Sequence, residues 1–476
     1  MNEFRGKRIA VLGAAATGMA AAPVLARLGA EVWVFDAKPA DALGEAPARL
    51  APVARLFLGD PDYAQLEECD LIVPSPGVPC EAPALQDAVR RGTPVLSEIE
   101  IAYRIARAPL VAVTGTNGKT STVFMIAEVL RTGGCAAVVA GNALARGRQA
   151  PLIQAAESTP ADAWIVAEVS SFQLEWVTQF RPRVAVITNI TSDHLNRHGS
   201  VEAYAAAKAR LLDAQTDADW TVLNLDNPLT HSLTSRARGR LLRFSRELHP
   251  FAGTWVEGTG EARRLWGRLP GAGNHGGLSD HGGLPLLGAA GLRVPGEHTL
   301  ENALAAAAVG LAVGIEPAAI AAGLERFPGV PDRLESLGCV HGVEYVNNTM
   351  CTNVDAAVRS VQAYTRPVVL IAGGKNKDLD FEPLGREIAT RVKALITIGD
   401  DGAAIAGAAR RHGFDRIRAA GSMAEAVQAA AAEAGAGDVV LLAPACASFD
   451  WYRSFEARGE DFRRQVERLR ESAEGV

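Results

Sequence analysis

The chain has 476 residues, is 48% hydrophobic and 21% charged, and carries a formal net charge of −6 at pH 7. That is the composition of a globular protein with large apolar cores and about two to four domains, and the charge is not basic enough to argue for nucleic acid. Apolar runs such as 303–315 are too short and alanine-rich to span a bilayer, and the six cysteines (Cys69, Cys80, Cys135, Cys339, Cys351 and Cys446) form no C-x-x-C pair, hence neither a disulfide framework nor a zinc site. The first ten residues run into a strand pattern without a signal-peptide core. A soluble, cytoplasmic enzyme is expected, with no nucleic acid partner and no membrane insertion.

Residues 7–36 read as strand, glycine turn, helix and strand. Gly13 and Gly18 bracket the turn, and Asp36 closes the second strand where a ribose-binding acid belongs. Ala15 replaces the middle glycine of G-x-G-x-x-G, so the pattern fits a nucleotide-binding βαβ unit or a purely structural turn. Residues 71–77, LIVPSPG, read as a strand entering a proline-bracketed turn. Residues 98–107 read as a helix leading to a first boundary near 107.

Residues 110–123, LVAVTGTNGKTSTV, read as a buried strand, a tight loop and a helix start. Backbone N–H groups of such a loop and helix N-terminus face anionic oxygens. Lys119 would reach outer phosphates, and the Thr120 hydroxyl suits Mg2+. Val113 stands at the first glycine position of the full motif, and a plain strand-to-helix turn is the alternative. Asn142 follows the next strand at a turn. The strand in WIVAEVSSFQ (164–173) ends in Glu168, and a carboxylate at that end of a parallel strand faces the usual ligand crevice. His194 and His198 lie four apart, but H-E-x-x-H is missing. Lys208 lies on a helical stretch where a solvated surface charge is the ordinary expectation. Residues 245–295 are glycine-rich and aperiodic, and His275 and His281 there read as part of a flexible loop. Helical pattern returns at 294–308 with Asn302. The Pro/Gly segment 326–331 reads as a hinge and second boundary, directly before Arg333. The remaining chain alternates strands near 345–347, 368–372, 394–398 and 439–443 with helices, which implies a mostly parallel sheet.

TGTNGKT (114–120), E-x-S-S-F-Q-L-E (168–175), Asp193-His194, the C-terminal loops GGKNKDLDF (373–381) and APACASFDWY (443–452), and SFEARGEDF (454–462) together resemble the Mur ligase family, specifically its glutamate-adding branch. The resemblance covers nearly the whole chain outside 245–292. It implies an α/β fold of three domains: a Rossmann-like N-terminal domain (1–107), a central P-loop ATPase-like parallel sheet (108–327) and a Rossmann-like C-terminal domain (328–476). It also implies an ATP-dependent ligase that adds glutamate, by default D-glutamate, to UDP-N-acetylmuramoyl-L-alanine through an acyl phosphate in peptidoglycan precursor synthesis, and a monomer is expected. Gly115, Thr116, Asn117, Gly118, Lys119, Thr120, Ser121, Asn302 and Arg333 would bind ATP. Thr120 and Glu168 would hold one Mg2+. Glu168, His194 and Lys208 would hold a second, Lys208 as a CO2-derived carbamate. Thr17, Gly18, Asp36, Ser75, Gly77 and Asn142 would line the site of the UDP substrate. Thr352, Lys377, Ser448, Phe449 and Phe455 would hold glutamate.

Two departures touch these roles. Pro331-Asp332-Arg333 stands where the family usually reads P-H-R, and NNTMCTN (347–353) where it reads N-D-S-K-A-T-N, so Asn348 and Met350 replace an acid and a lysine. Readings that stay open are the same fold adding L-glutamate, a non-catalytic nucleotide-binding protein, and an NAD-dependent dehydrogenase built on residues 7–36.

Overall fold

The computed structural model describes residues 3–59, 61–142, 150–191, 193–247, 251–270, 283–294, 296–375 and 380–474. The fold is α/β, with three sheets in three domains. The first sheet comprises β1 (Arg8–Leu12), β2 (Glu31–Asp36), β3 (Arg55–Leu58) and β4 (Leu71–Pro74), all parallel, in the order β3-β2-β1-β4. Chain order reverses around β1, so the turn after β1 opens into a crevice at the carboxyl ends of the strands.

The second sheet contains β5 (Leu110–Thr114), β6 (Ala137–Gly141), β7 (Trp164–Glu168), β8 (Val184–Ile187), β9 (Trp220–Asn224), β10 (Arg240–Ser245), β11 (Gly253–Glu257), β12 (Arg264–Arg268) and β13 (Leu284–Gly288). Its order is β13-β12-β11-β10-β9-β8-β5-β7-β6, parallel except that β12 runs antiparallel to both of its neighbours, β11 and β13. Here the reversal lies at β5, which pairs with both β7 and β8. The short, fully buried apolar run of β5 is what a central parallel strand requires.

Sequence pattern and structure part company at 245–295. The aperiodic stretch supplies β11, β12 and β13, which extend the sheet through an antiparallel pair. Its glycines misled the pattern because they serve close packing: a side chain at Gly253 would overlap the Arg243 carbonyl, and one at Gly267 would overlap Leu311. His275 and His281 lie outside the described residues.

The first two sheets share one core. Val11 and Val34 belong to the same apolar cluster as Ala112, Ile165 and Leu211. Two buried carboxylates of the helix Glu98–Ile105 bind backbone beneath the second sheet. Glu98 Oε1 accepts from Ile153 N at 2.6 Å. Glu100 is fully buried and accepts from the N–H groups of Thr178, Gln179 and Phe180 at 2.8–3.0 Å, and from Arg104 Nε at 2.9 Å. Such saturation is what makes a buried carboxylate tolerable.

The chain divides into two compact units, with residues 300–325 in the unit of the first two sheets and 292–299 with 326 onward in the other. The second unit holds β14 (Glu335–Val340), β15 (Val343–Asn347), β16 (Val368–Gly373), β17 (Val392–Ile398), β18 (Ile417–Ala419) and β19 (Val439–Leu442). Their order is β14-β15-β19-β16-β17-β18, with only β14 antiparallel. Alternate residues face two cores, Leu370, Leu395 and Leu441 into one and Ile371, Ile396 and Val440 into the other. No helix among the described residues is long and apolar enough to cross a membrane.

Candidate active site

β5 ends at Thr114, and residues 115–118 turn the chain into the helix Lys119–Thr132. Gly118, with φ +80°, occupies the left-handed region at the helix start, and a side chain there would overlap Asn302 Oδ1. Gly115 lies against Thr188, where a side chain would overlap the hydroxyl. The loop is propped from behind by β8: Asn117 N donates to Asn189 Oδ1 at 2.9 Å, and Thr188 Oγ1 donates to Asn117 O at 2.7 Å. Lys119 Nζ folds back onto Thr116 O at 2.9 Å. Thr120 Oγ1 donates to Glu168 Oε2 at 2.7 Å, and Asn142 Nδ2 reaches Glu168 Oε1 at 3.4 Å. Asn302 Oδ1 accepts from Thr122 Oγ1 at 3.2 Å. The structure thus brings Gly118, Lys119, Thr120, Asn142, Glu168 and Asn302 together at the carboxyl end of β5, with Ser121 half-buried in the first helical turn.

Lys208 is 1% exposed. Its Nζ donates to Gly115 O at 2.9 Å and lies 4.5 Å from the Tyr204 ring. Burial and the nearby Lys119 charge bring its ammonium down to about 7, against the opposing pull of Asp193 and Glu168. His194 has φ +51° and is exposed, its ring 4.9 Å from Phe172 and 6.2 Å from Tyr204. His198 is half-buried in a different role: it stacks on Phe172 and its Nε2 lies 3.0 Å from Ser171 Oγ.

Among the described residues no group of three or more His, Cys, Asp or Glu side chains forms a metal-binding cluster. Mg2+ does not need one, because it takes one or two carboxylates plus waters and substrate phosphates. A buried carboxylate joined to a hydroxyl beside a phosphate loop is a donor set of that kind.

At the first sheet, Gly13 has φ +109° and lies against Ser75, and Gly18 is buried where a side chain would overlap the Gly13 carbonyl. Asp36 accepts from Ala14 N at 2.8 Å and from Lys38 N at 2.9 Å, which fixes the carboxylate at the turn. Thr17 and Ser75 line one small cavity with Phe172 and Gln173, so the glycine turn and the E-x-S-S-F-Q segment meet. Gly77 is exposed on the following turn.

In the second unit, β15, β19 and β16 are adjacent and parallel, and the loops 347–353, 443–449 and 373–375 leave their carboxyl ends. Lys375 and Ala447 exchange backbone hydrogen bonds at 2.9 and 3.0 Å. Ser448 is 2% exposed, Phe449 is 67% exposed, and Thr352 and Phe455 are half-buried. Lys377 lies outside the described residues. Arg333 is exposed between two left-handed residues, Asp332 and Leu334.

Family profiles match three consecutive stretches: a Mur ligase MurD-like N-terminal domain over 7–97, a Mur ligase middle domain over 113–269 and a Mur ligase glutamate ligase domain over 332–446. The chain is 43% identical over 467 residues to the UDP-N-acetylmuramoylalanine–D-glutamate ligase of Pelotomaculum thermopropionicum, covering 98% of both chains. It is 37% identical over 470 residues to the enzyme of that name in Koribacter versatilis, covering 98% of this chain and 99% of the relative. This chain belongs to the Mur ligase family. The architecture agrees: a UDP-N-acetylmuramate-alanine ligase from Thermotoga maritima superposes with a TM-score of 0.57 at 19% identity, covering 98% of this chain and all of that one.

Two of this Mur ligase's departures from the family pattern, Asn348 and Asp332, are explained by its own packing, and nothing in the structure explains Met350. Asn348 is buried. Its Oδ1 accepts from Leu334 N at 3.2 Å, and its Nδ2 donates to Ser360 Oγ at 2.7 Å while that hydroxyl donates to Ala356 O at 2.6 Å. An amide satisfies both neighbours without charge. Asp332 is also buried and accepts from Asn347 Nδ2 at 2.9 Å and Arg463 Nη2 at 3.3 Å. Its carboxylate therefore anchors the middle of the C-terminal helix Phe455–Glu474 through Arg463. Asn353 caps the helix Val354–Gln362 by accepting from Ala356 N at 2.8 Å. Pattern reasoning missed the props Thr188 and Asn189, the carboxylate of Glu100, and Arg458, because none stands in a loop with a recognisable spacing.

Proposed function

We propose that this Mur ligase joins the carboxylate of UDP-N-acetylmuramoyl-L-alanine to the amine of D-glutamate and cleaves ATP to ADP and phosphate. The observation that carries this is the phosphate loop with Lys119, Thr120 and Glu168 assembled at the carboxyl end of β5, in a chain similar over its whole length to D-glutamate ligases. Domains of 1–107, 108–327 and 328–476 receive the UDP substrate, ATP and the amino acid in turn.

A carboxylate resists amines because oxide is a hopeless leaving group. A substrate carboxylate oxygen attacks the γ-phosphorus, the bond to the ADP oxygen breaks, and an acyl phosphate forms. The amine then attacks the acyl carbon, and the C–O bond breaks as phosphate leaves with the electron pair and the amine loses its proton. No protein nucleophile is required. Lys119 and the N–H groups of 115–121 neutralise the triphosphate, which is the dominant contribution in phosphoryl transfer. Asn302 completes the ATP contacts of this unit. Thr120 and Glu168 would hold Mg2+, and Glu168, His194 and Lys208 a second ion; bound there, the ions would supply further charge neutralisation.

For Lys208 the reading is a carbamate. As a neutral amine its Nζ attacks CO2, an N–C bond forms and a proton is released, so a buried cation becomes an oxygen donor. An ammonium brought down to about 7 is neutral often enough to react. Thr17, Gly18, Asp36, Ser75, Gly77 and Asn142 orient the UDP substrate. Thr352, Lys377, Ser448, Phe449 and Phe455 hold D-glutamate. The enzyme works as a cytoplasmic monomer.

The deciding assay is phosphate release from ATP with UDP-N-acetylmuramoyl-L-alanine and D-glutamate, L-glutamate or no amino acid. Turnover with D-glutamate alone is expected. Turnover with L-glutamate alone reverses the stereochemistry, and none with either removes the ligase assignment.

A further inference from the structure

The three loops that close the C-terminal sheet come from chain positions far apart, and one side chain touches two of them while gripping the strand partner of the third. Arg458 lies on the helix Phe455–Glu474 and is 1% exposed. Its Nε donates to Thr349 Oγ1 at 3.0 Å, Nη2 to Thr349 O at 3.0 Å and to Cys446 O at 3.1 Å, and Nη1 to Ala447 O at 3.3 Å. The carbonyl of Ala447 is also the acceptor for Lys375 N at 2.9 Å. The guanidinium therefore ties 347–353 to 443–449 directly and 373–375 through Ala447. The third loop approaches closely enough that a side chain at Gly374 would overlap Ala447 O and press on Nη1. Thr349 Oγ1 in turn donates to Phe455 O at 2.9 Å.

Among the described residues no carboxylate forms an ion pair with Arg458. A buried charge is costly unless hydrogen bonds replace its hydration, and here the replacement comes from backbone carbonyls and one hydroxyl, with the Asp450 carboxylate adding a favourable longer-range attraction. Burial lowers the group only to about 10, so the cation persists at neutral pH. A lysine would keep the charge but not the planar fork, which alone directs donors to separate loops from one point. The structural need is thus for geometry rather than for charge.

We infer that Arg458 is the positioning residue of the amino-acid site, setting Ser448 and Thr352 in register through the backbones of Ala447 and Thr349. It touches no reacting atom. The inference rests on the proposed function, which assigns these loops to D-glutamate.

The test is steady-state kinetics of R458K, with folding followed by thermal denaturation. Loss of several charge-assisted hydrogen bonds to loop backbone raises KM for D-glutamate about tenfold or more. KM for ATP and for the UDP substrate stays within about twofold, a split that general destabilisation would not produce. T349V, which keeps shape but removes both the acceptor for Arg458 Nε and the donor to Phe455 O, shifts the D-glutamate KM in the same direction by about threefold and serves if R458K does not fold. An unchanged D-glutamate KM in either folded variant, or an equal loss toward all substrates, overturns the inference. A parent enzyme that turns over with no glutamate enantiomer overturns the function and this inference with it. An active parent with an unresponsive variant overturns only this one.

Discussion

The phosphate loop and the C-terminal loops proposed to hold the amino acid are built from the same material, backbone at the carboxyl ends of parallel strands, yet they are held in different ways. The phosphate loop is one stretch of consecutive residues. Its shape follows from a glycine with φ +80°, a lysine folded onto Thr116 O, and a threonine facing Glu168. The amino-acid loops leave three strands, and an arginine 109 residues away from Thr349 fixes their spacing. Local conformation specifies the first site. Topology and one buried side chain specify the second, so damage to each will differ in kind.

The largest effects belong to the first site. Lys119→Ala and Glu168→Gln are each expected to reduce turnover about a thousandfold, since each removes charge directed at the phosphates or their ion, while circular dichroism and thermal denaturation show a folded protein. Turnover within tenfold of the parent would show that the loop does not carry the chemistry. Lys208 gives a pH test. Its folded-state ammonium sits near 7, below the ordinary value of 10.5, so the neutral amine that the proposed carbamylation needs predominates above that pH and is scarce below it. Activity in CO2-depleted buffer should be restored by bicarbonate, with the greater shortfall at pH 6 than at pH 8, and a carbamate carbon signal should appear with labelled CO2. Absence of that signal would remove the carbamate. The depressed value has a stability consequence too, for the uncarbamylated enzyme: between about pH 7 and 10.5 the unfolded chain binds more protons here, so the penalty for burying this ammonium is relieved and stability rises with pH through that window.

Smaller effects come from the scaffold. Gly118→Ala places a side chain at positive φ against Asn302 Oδ1, which should cost about 1–3 kcal/mol and raise KM for ATP. Glu100→Gln turns a saturated acceptor into an amide facing N–H groups of Thr178, Gln179 and Phe180. Stability should fall by about 3 kcal/mol, measured by denaturant titration. An unaltered midpoint would mean that the shared core alone joins the first two sheets.

The contrast also explains what could be read from sequence. TGTNGKT announces both fold and chemistry because every residue that shapes the loop lies within it. Glu168 was legible for a related reason: it ends a buried apolar strand, so its direction is set by the pleat. The strands at 253–257, 264–268 and 284–288 were not legible, since glycines there relieve close contacts that exist only in the folded sheet. Arg458 was hidden most deeply. Arginine on a charged helix ordinarily points to water, and nothing near it in sequence records that three distant strands converge on its fork.

Asn348 offers the finest discrimination between the two kinds of site. If it served substrate directly, restoring the family's acid would alter kinetics and leave stability alone. Its hydrogen bonds to Leu334 N and Ser360 Oγ say otherwise. Asn348→Asp buries a carboxylate with two neutral donors at most, and only after the Ser360 hydroxyl turns away from Ala356 O. The expected cost is about 1–3 kcal/mol at pH 7.5. Burial would raise the new carboxyl group above its unfolded value, so the cost appears as pH rises through the folded value and disappears below the unfolded one. At pH 4 the protonated acid can donate to Ser360 as the amide does. Thermal denaturation at the two pH values decides: a deficit confined to the higher pH identifies Asn348 as internal scaffolding of the dispersed site, whereas equal stability with an altered KM for D-glutamate would place it among the substrate contacts and give the C-terminal loops a locally written component after all.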